Sequence, residues 1–431
     1  MVAALVALSA CGVIKGGQKK TPVLGDRVPI LMTESDVLPD KALADVQVVL
    51  PPALQNDAWA QPGGNASKSM GQLVLGDSPT RLWSIKIDGG SKSELLAASP
   101  VFADGRLYVI DVNATVHALA ADTGSQIWQV SIADVKENKT ARFGGGVSYE
   151  DGKLYATDGL GDAVAMNASD GAILWRAKPG GPLRGSPTVA NGQLYVLSQD
   201  NQIFALSQAE GKVLWTASAS LETQGVFGVA APAAAQGTVV AGFSSGELNA
   251  YRYENGRSVW QDSLSRSTIS TSVSSLADID ADPVIDQGRV YAVGQGGRMV
   301  ALEIVSGQRL WEQNFAGIST PWVAGEWLFV VTDDGKLICL SRANGKIRWI
   351  SQMQAYKNVK KKKNAISWTG PLLAGNRLVL LNSEGDIVMA SPSDGSVVQT
   401  IKTKGSFDLS PILANGILYV LDQTGRLSAY K

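Results

Sequence analysis

A single module recurs along this chain and decides what it can become. It runs from a Pro through a Gly-containing turn, an apolar strand, a second turn and a strand ending Ala-Leu to a closing Gly-x-x-x-Trp. Ser99-Pro100, Asp104-Gly105, Leu107-Tyr108-Val109, Gly124 and Trp128 make one clear copy, and Ser186-Pro187, Asn191-Gly192, Leu194-Tyr195-Val196, Gly211 and Trp215 make another. The same four-residue step joins Gly171 to Trp175, Gly256 to Trp260, Gly307 to Trp311 and Gly345 to Trp349, while a seventh copy has Gln399 at that distance from Gly395. A period of roughly 45 residues is too short for a self-sufficient core, so each copy has to bury its apolar faces against its neighbours.

The two ends of the repeat complete one another. An eighth copy, Ser410-Pro411, Asn415-Gly416 and Leu418-Tyr419-Val420, stops at Lys431 before its last strand, and Trp83 in Arg81-Leu82-Trp83-Ser84-Ile85 stands alone ahead of the first full copy. If the N-terminal strand supplies the missing outer strand, no blade is left with unmade backbone pairs and the array closes into a ring. The 349 residues from Trp83 to Lys431 give about 44 per copy, enough for four short strands and their turns. The sequence therefore predicts an all-β, eight-bladed β-propeller of four-stranded antiparallel blades, the last closed by the N-terminal strand. Asp104-Gly105, Asp151-Gly152, Asn191-Gly192 and Asn415-Gly416 suit the type I′ turns such hairpins need. The 46 glycines and a charged content of only 18% agree with many short strands and tight turns.

In that register Trp83, Trp128, Trp175, Trp215, Trp260, Trp311 and Trp349 are expected to wedge between blades as structural residues. Cys339 lies six residues before Gly345, where other copies carry Ala118, Ala165, Ala205, Ala250 and Ala301, and is read as a small apolar filler.

Ahead of the repeat, residues 1–10 form a short apolar run ending at Cys11, too short to span a bilayer and laid out like a secretory signal peptide. Leu8-Ser9-Ala10-Cys11 resembles a bacterial lipobox, which implies an acylated Cys11 as the lipid anchor, and Gly12 in place of Asp implies sorting to the periplasmic face of the outer membrane. The expected organisation is a signal peptide over 1–10, an anchored flexible tether over 11–55 and the propeller over 56–431.

Several chemistries find no support. A net charge of −1 offers no cationic surface for nucleic acid. The single histidine, His117, sits within the strand Thr115 to Leu119 with no nucleophile motif beside it. No run of carboxylates marks a metal site, so no metal, no cofactor and no catalytic residue are expected. Lys360 to Lys363, between the sixth and seventh copies, read as a solvated loop, with an electrostatic contact to an acidic partner or lipid head groups as the alternative.

The Gly-x-x-x-Trp ending resembles the repeats of the pyrroloquinoline quinone family, which leaves a PQQ/Ca-dependent periplasmic dehydrogenase as one alternative and a general periplasmic ligand-binding propeller as another. Those enzymes commonly carry adjacent cysteines; Cys11 and Cys339 are far apart. With its lipobox, tether and eight copies, the whole chain resembles the BamB family, propeller lipoproteins of the outer-membrane β-barrel assembly machinery. That resemblance implies a non-enzymatic scaffold that binds periplasmic domains of the BamA-like barrel-forming subunit and possible unfolded outer-membrane clients. It places the docking patch at Pro182-Leu183-Arg184-Gly185 and Leu276-Ala277-Asp278-Ile279-Asp280. By resemblance, Leu183 is an apolar contact, Arg184 a multi-donor hydrogen bonder, and Asp278 and Asp280 acceptors; the family's apolar residue two places before the leucine is Gly181 here.

Overall fold

Paired Asp-Gly and Asn-Gly dipeptides set the strand order locally. In the computed structural model both residues of Asp104-Gly105, Asp151-Gly152, Asn191-Gly192 and Asn415-Gly416 have positive φ, the type I′ geometry that returns a twisted strand onto its neighbour. The structure describes residues 37–91, 93–133, 139–183, 185–221, 230–265 and 277–431. Among these, eight four-stranded antiparallel sheets follow one another along the chain, each running from a short inner strand to an outer one.

Blade 1 is built from Val101–Ala103, Arg106–Ile110, Thr115–Ala120 and Gln126–Ser131. Blades 2 to 7 occupy 147–177, 188–218, 233–263, 284–313, 322–352 and 368–402. Blade 8 takes Ile412–Ala414, Ile417–Leu421 and Arg426–Tyr430 from the C-terminus and its outer strand, Arg81–Lys86, from the other end. Ser84 pairs with Ser428 and Ile85 with Leu427, and beyond the strand the Thr80 and Lys431 backbones exchange hydrogen bonds of 2.7 and 3.0 Å.

Burial follows strand position. The two middle strands of a blade are buried on both faces, as in Thr115–Ala120, because neighbouring blades cover both. Outer strands such as Gln126–Ser131 alternate between exposed and half-buried. The Gly-x-x-x-Trp motif works across the gap between blades: each indole N–H donates to the residue three before the glycine of the next blade. Trp83 reaches the Ala121 carbonyl at 3.0 Å, Trp128 that of Ala168 at 3.2 Å, Trp175 that of Gln208 at 3.1 Å and Trp215 that of Tyr253 at 2.8 Å. Trp260, Trp311 and Trp349 repeat the bond to Ile304, Arg342 and Pro392. The glycine is required because the indole lies on it: a Cβ on Gly256, at φ +68°, would stand 2.5 Å from the Trp215 ring. Between blades 7 and 8, where Gln399 replaces the tryptophan, Arg377 bonds the Gln399 side chain and the Gly76 and Asp77 carbonyls that lead into the closing strand.

Within the expected tether, residues 37–55 lie on the propeller. From Val37 the chain already packs on the propeller, with the Asp40 amide bonded to the Ile347 carbonyl at 2.8 Å on blade 6. Residues 56–73 then line the hub and visit every blade in turn. Asn56 bonds Asn415 and Leu413 of blade 8, and Trp59 exchanges two 2.8 Å backbone bonds with Phe102 of blade 1. The Ala60 carbonyl meets Tyr149 of blade 2, and the Gln61 side chain brackets Val189 of blade 3 through both N–H and carbonyl at 2.9 Å. Ala66, Ser67 and Gly71 serve Ala234, Ile285 and Trp322 of blades 4, 5 and 6, and Leu73 pairs with Leu373 and Gly375 of blade 7. Inner strands have a free edge, and this hub segment supplies the bonds that a neighbouring strand would otherwise make.

Candidate docking face

The hub segment borders a cavity of about 240 Å³, walled by the segments that enter the blades. Trp59 and Lys68 form part of its floor; Ser186, Asp280, Asp282, Ser319 and Thr369 lie in its wall. Trp59 stacks on Trp322 at 6.2 Å between centroids, which fixes the floor. Lys68 takes a left-handed φ of +64° and is 2% exposed; its Nζ donates to Thr188 Oγ1 at 3.1 Å. Burial holds its ammonium down at about 8, partly offset by the negative charge of Asp282. The Asp282 carboxyl is in turn raised by its own burial and accepts from the Ala231 amide at 2.7 Å.

Both segments singled out in the sequence enter blades on this side, one leading to blade 3 and one to blade 5. Leu183 is not an exposed contact: it is fully buried in a cluster with Tyr155, Val189 and Phe204, and its amide donates to the Asp158 carbonyl at 3.2 Å. Its apolar side chain belongs to the core between blades 2 and 3, because the entering chain turns inward there. Arg184 lies outside the described residues, as does Cys11. Asp278 is 1% exposed, so its carboxyl also faces inward, and its carbonyl accepts from the Gln295 amide at 2.9 Å. Asp280 is half-buried on the cavity wall and accepts from Gln295 Nε2 at 3.0 Å. Burial pushes the Asp280 carboxyl up to about 7, with the charges of Asp278 and Asp333 adding to the shift. The docking patch drawn from sequence thus divides into two buried residues that shape the rim and one acid that reaches its surface.

The sequence reading missed Lys68, Asp282 and Gln295. The local signal for Lys68 is Gly63-Gly64, where a Cβ on Gly63 would stand 2.9 Å from Lys68 Cβ. His117 is buried and bonded to Asp111 at 2.9 Å, while Asp111 caps the turn before its strand through the Asn113 and Thr115 amides. The pair is spent on a hairpin. Cys339 is fully buried, opposite Phe329 and Trp349, and burial pushes its thiol well above the usual range. Lys363 opens one strand of a small exposed hairpin, Tyr356–Asn358 with Lys363–Ala365, that carries Lys360 to Lys362 at its turn.

Comparison with known proteins decides between the resemblances. The family model described as outer membrane protein assembly factor BamB matches residues 69–136 and 112–351. The protein of that description from Shigella dysenteriae is 32% identical over 352 residues, covering 81% of this chain and 88% of the relative. The chain belongs to the BamB family. The Escherichia coli member matches with the same identity and coverage, and that from Yersinia pestis is 27% identical over 359 residues. Among solved structures, BamB from Moraxella catarrhalis superposes with a TM-score of 0.68 at 18% identity, covering 82% of this chain and all of that one. A quinohemoprotein alcohol dehydrogenase from Comamonas testosteroni superposes with a TM-score of 0.67 at 13% identity, covering 88% and 81%. These two likenesses show the propeller alone; the sequence relationship assigns the family. Among the described residues, no group of three His, Cys, Asp or Glu side chains is placed to hold a metal ion.

Proposed function

We propose that this chain is a non-enzymatic scaffold of outer-membrane protein assembly, anchored at the periplasmic face of the outer membrane through acylated Cys11. It binds periplasmic domains of the barrel-forming subunit through the rim of the central cavity. Family membership over 352 residues carries the reading, since relatives matched over 88% of their length are outer membrane protein assembly factors. A closed ring suits a scaffold because its entering segments are held on rigid blades, so a partner meets preset loops and little ordering entropy is lost on docking.

By the family resemblance Arg184 makes the contacts together with Asp280, and the buried Leu183 and Asp278 hold the two connections. A guanidinium and a carboxylate together offer a partner both donors and an acceptor. Arg184→Glu with Asp280→Lys is expected to reduce co-purification of the barrel-forming subunit by more than about tenfold, the loss of a paired charge at an interface, while the circular dichroism spectrum stays unchanged. Undiminished co-purification would remove this face from consideration. Cys11→Ser is expected to shift the protein from the membrane to the soluble periplasmic fraction, and retention in the membrane would refute the anchor.

A further inference from the structure

Blade 6 has its outer edge covered by a segment of its own chain. Val37 packs on the cluster that contains Ile347, the Asp40 amide donates to the Ile347 carbonyl at 2.8 Å, and the Asp40 carboxylate pairs with Lys346 Nζ at 2.9 Å. Further along, the Val46 carbonyl accepts from Arg348 Nε at 2.7 Å. Under this cover Ile347, two residues before Trp349, is only 3% exposed. At the same register on blades 2, 3 and 7, Ile173, Val213 and Val397 are 42%, 40% and 53% exposed.

Among the eight outer strands, blade 3 alone repeats the chemistry that seats this segment. Lys212-Val213-Leu214-Trp215 matches Lys346-Ile347-Arg348-Trp349 in placing a lysine three residues, and a β-branched apolar residue two residues, before the tryptophan. Blade 2 has Ala172 and blade 7 has Ser396 at the lysine position. Backbone geometry repeats as well. Val213 faces Leu206 across the same bulge that sets Ile347 opposite Leu340, and the Lys212 carbonyl accepts from Ser207 at 2.7 Å as that of Lys346 does from Ser341 at 2.8 Å. The Val213 carbonyl is therefore presented outward as the Ile347 carbonyl is. Where blade 6 has Arg348, blade 3 has Leu214, 50% exposed, which extends the apolar strip.

We propose that the outer edge of blade 3 is a docking site for an extended segment of a partner protein that carries an apolar residue followed three positions later by an acidic one. Such a segment seats as Val37 and Asp40 do on blade 6: main-chain bonding to the edge, an apolar contact on Val213 and Leu214, and a carboxylate on Lys212. The proposal stands on the two edges alone and does not depend on the docking rim.

A labelled peptide with the sequence of residues 36–47 serves as the probe, titrated into the full chain by fluorescence anisotropy. The chain's own segment holds blade 6 at high effective concentration, so the added peptide reports on blade 3. Saturable binding is expected; Lys212→Glu weakens it by about two- to fivefold, the range of an exposed ion pair, and Val213→Asp abolishes it. A peptide with Lys in place of the Asp40 equivalent regains affinity for Lys212→Glu, an outcome that a merely damaged fold does not produce, and Lys346→Glu leaves binding unchanged. Absence of saturation up to about 1 mM, or equal binding by Val213→Asp, overturns the proposal. So does a dimer of the chain that Val213→Asp dissolves, since the edge would then belong to a second copy.

Discussion

Trp215 links two blades through one side chain, with its ring on Gly256 and its N–H on the Tyr253 carbonyl. Truncation removes apolar burial, an interblade hydrogen bond and the filling of the space between blades 3 and 4. Trp215→Ala is expected to destabilise by about 3 kcal/mol or more in urea unfolding, and Trp215→Phe by roughly 1–2 kcal/mol, because a half-buried carbonyl loses its donor while most of the packing remains. Equal stability of the Phe variant and the parent would show that the hydrogen bond contributes nothing. Asp280 gives a second test at this scale. Its carboxyl holds a proton up to about pH 7 in the folded state, against an ordinary value of 3.8. Between those values the folded chain binds a proton that the unfolded chain has released, so this contribution to stability is full below about pH 4 and is lost as pH rises through 7. Asp280→Asn is expected to leave stability unchanged near pH 4 and to raise it by on the order of 1–2 kcal/mol at pH 8, after allowance for partial exposure. A constant difference between variant and parent across that range would contradict the burial of this acid. The indole positions were legible in the sequence because spacing fixes them, whereas the inward turns of Leu183 and Asp278 were not. Their burial depends on Phe204, Tyr155 and the Gln295 backbone, partners that no local pattern identifies.

Individual blades were readable for a physical reason: turn dipeptides, strand alternation and the Gly-to-Trp step are all satisfied within about 45 residues. The hub segment was not. It has no periodicity of its own, since its regularity is that of the ring it touches, with hydrogen bonds to each blade in succession. Gln61 shows how such a segment works. Its side-chain amide substitutes for a strand by donating to the Val189 carbonyl and accepting from the Val189 amide, both at 2.9 Å. Gln61→Ala leaves both groups buried without partners and is expected to destabilise by about 1–3 kcal/mol, with faster amide exchange at Val189 than at the inner strands of other blades. Gln61→Glu keeps the acceptor and loses the donor, so it should fall on the same side with the Val189 amide still protected. Unaltered exchange at Val189 in the Ala variant would mean that the hub segment does not hold blade 3.

At the scale of the molecule, one antiparallel pairing completes blade 8. Arg81–Lys86 and Arg426–Tyr430 join the two ends of the repeat, while the seam beside them lacks the tryptophan found at the other gaps and relies on Arg377. Closure of a loop this long carries a large entropic penalty in the unfolded chain, so a covalent link across the seam acts mainly on that state. Ser84 and Ser428 are directly paired, with hydroxyl oxygens 2.9 Å apart, so cysteines at the two positions would hold their sulfur atoms close together on one face of the ladder. Ser84→Cys with Ser428→Cys is therefore expected to form a disulfide and raise stability by about 3–5 kcal/mol in the oxidised form. The gain should vanish on reduction, and it should appear as one cooperative transition displaced to higher urea, because every blade depends on both neighbours. Cys339 does not compete for the bond, being fully buried within blade 6. A bond that forms yet leaves the unfolding midpoint where it was would mean that the ends part only after the blades have already come apart, and the seam would then have no part in setting the stability of the ring.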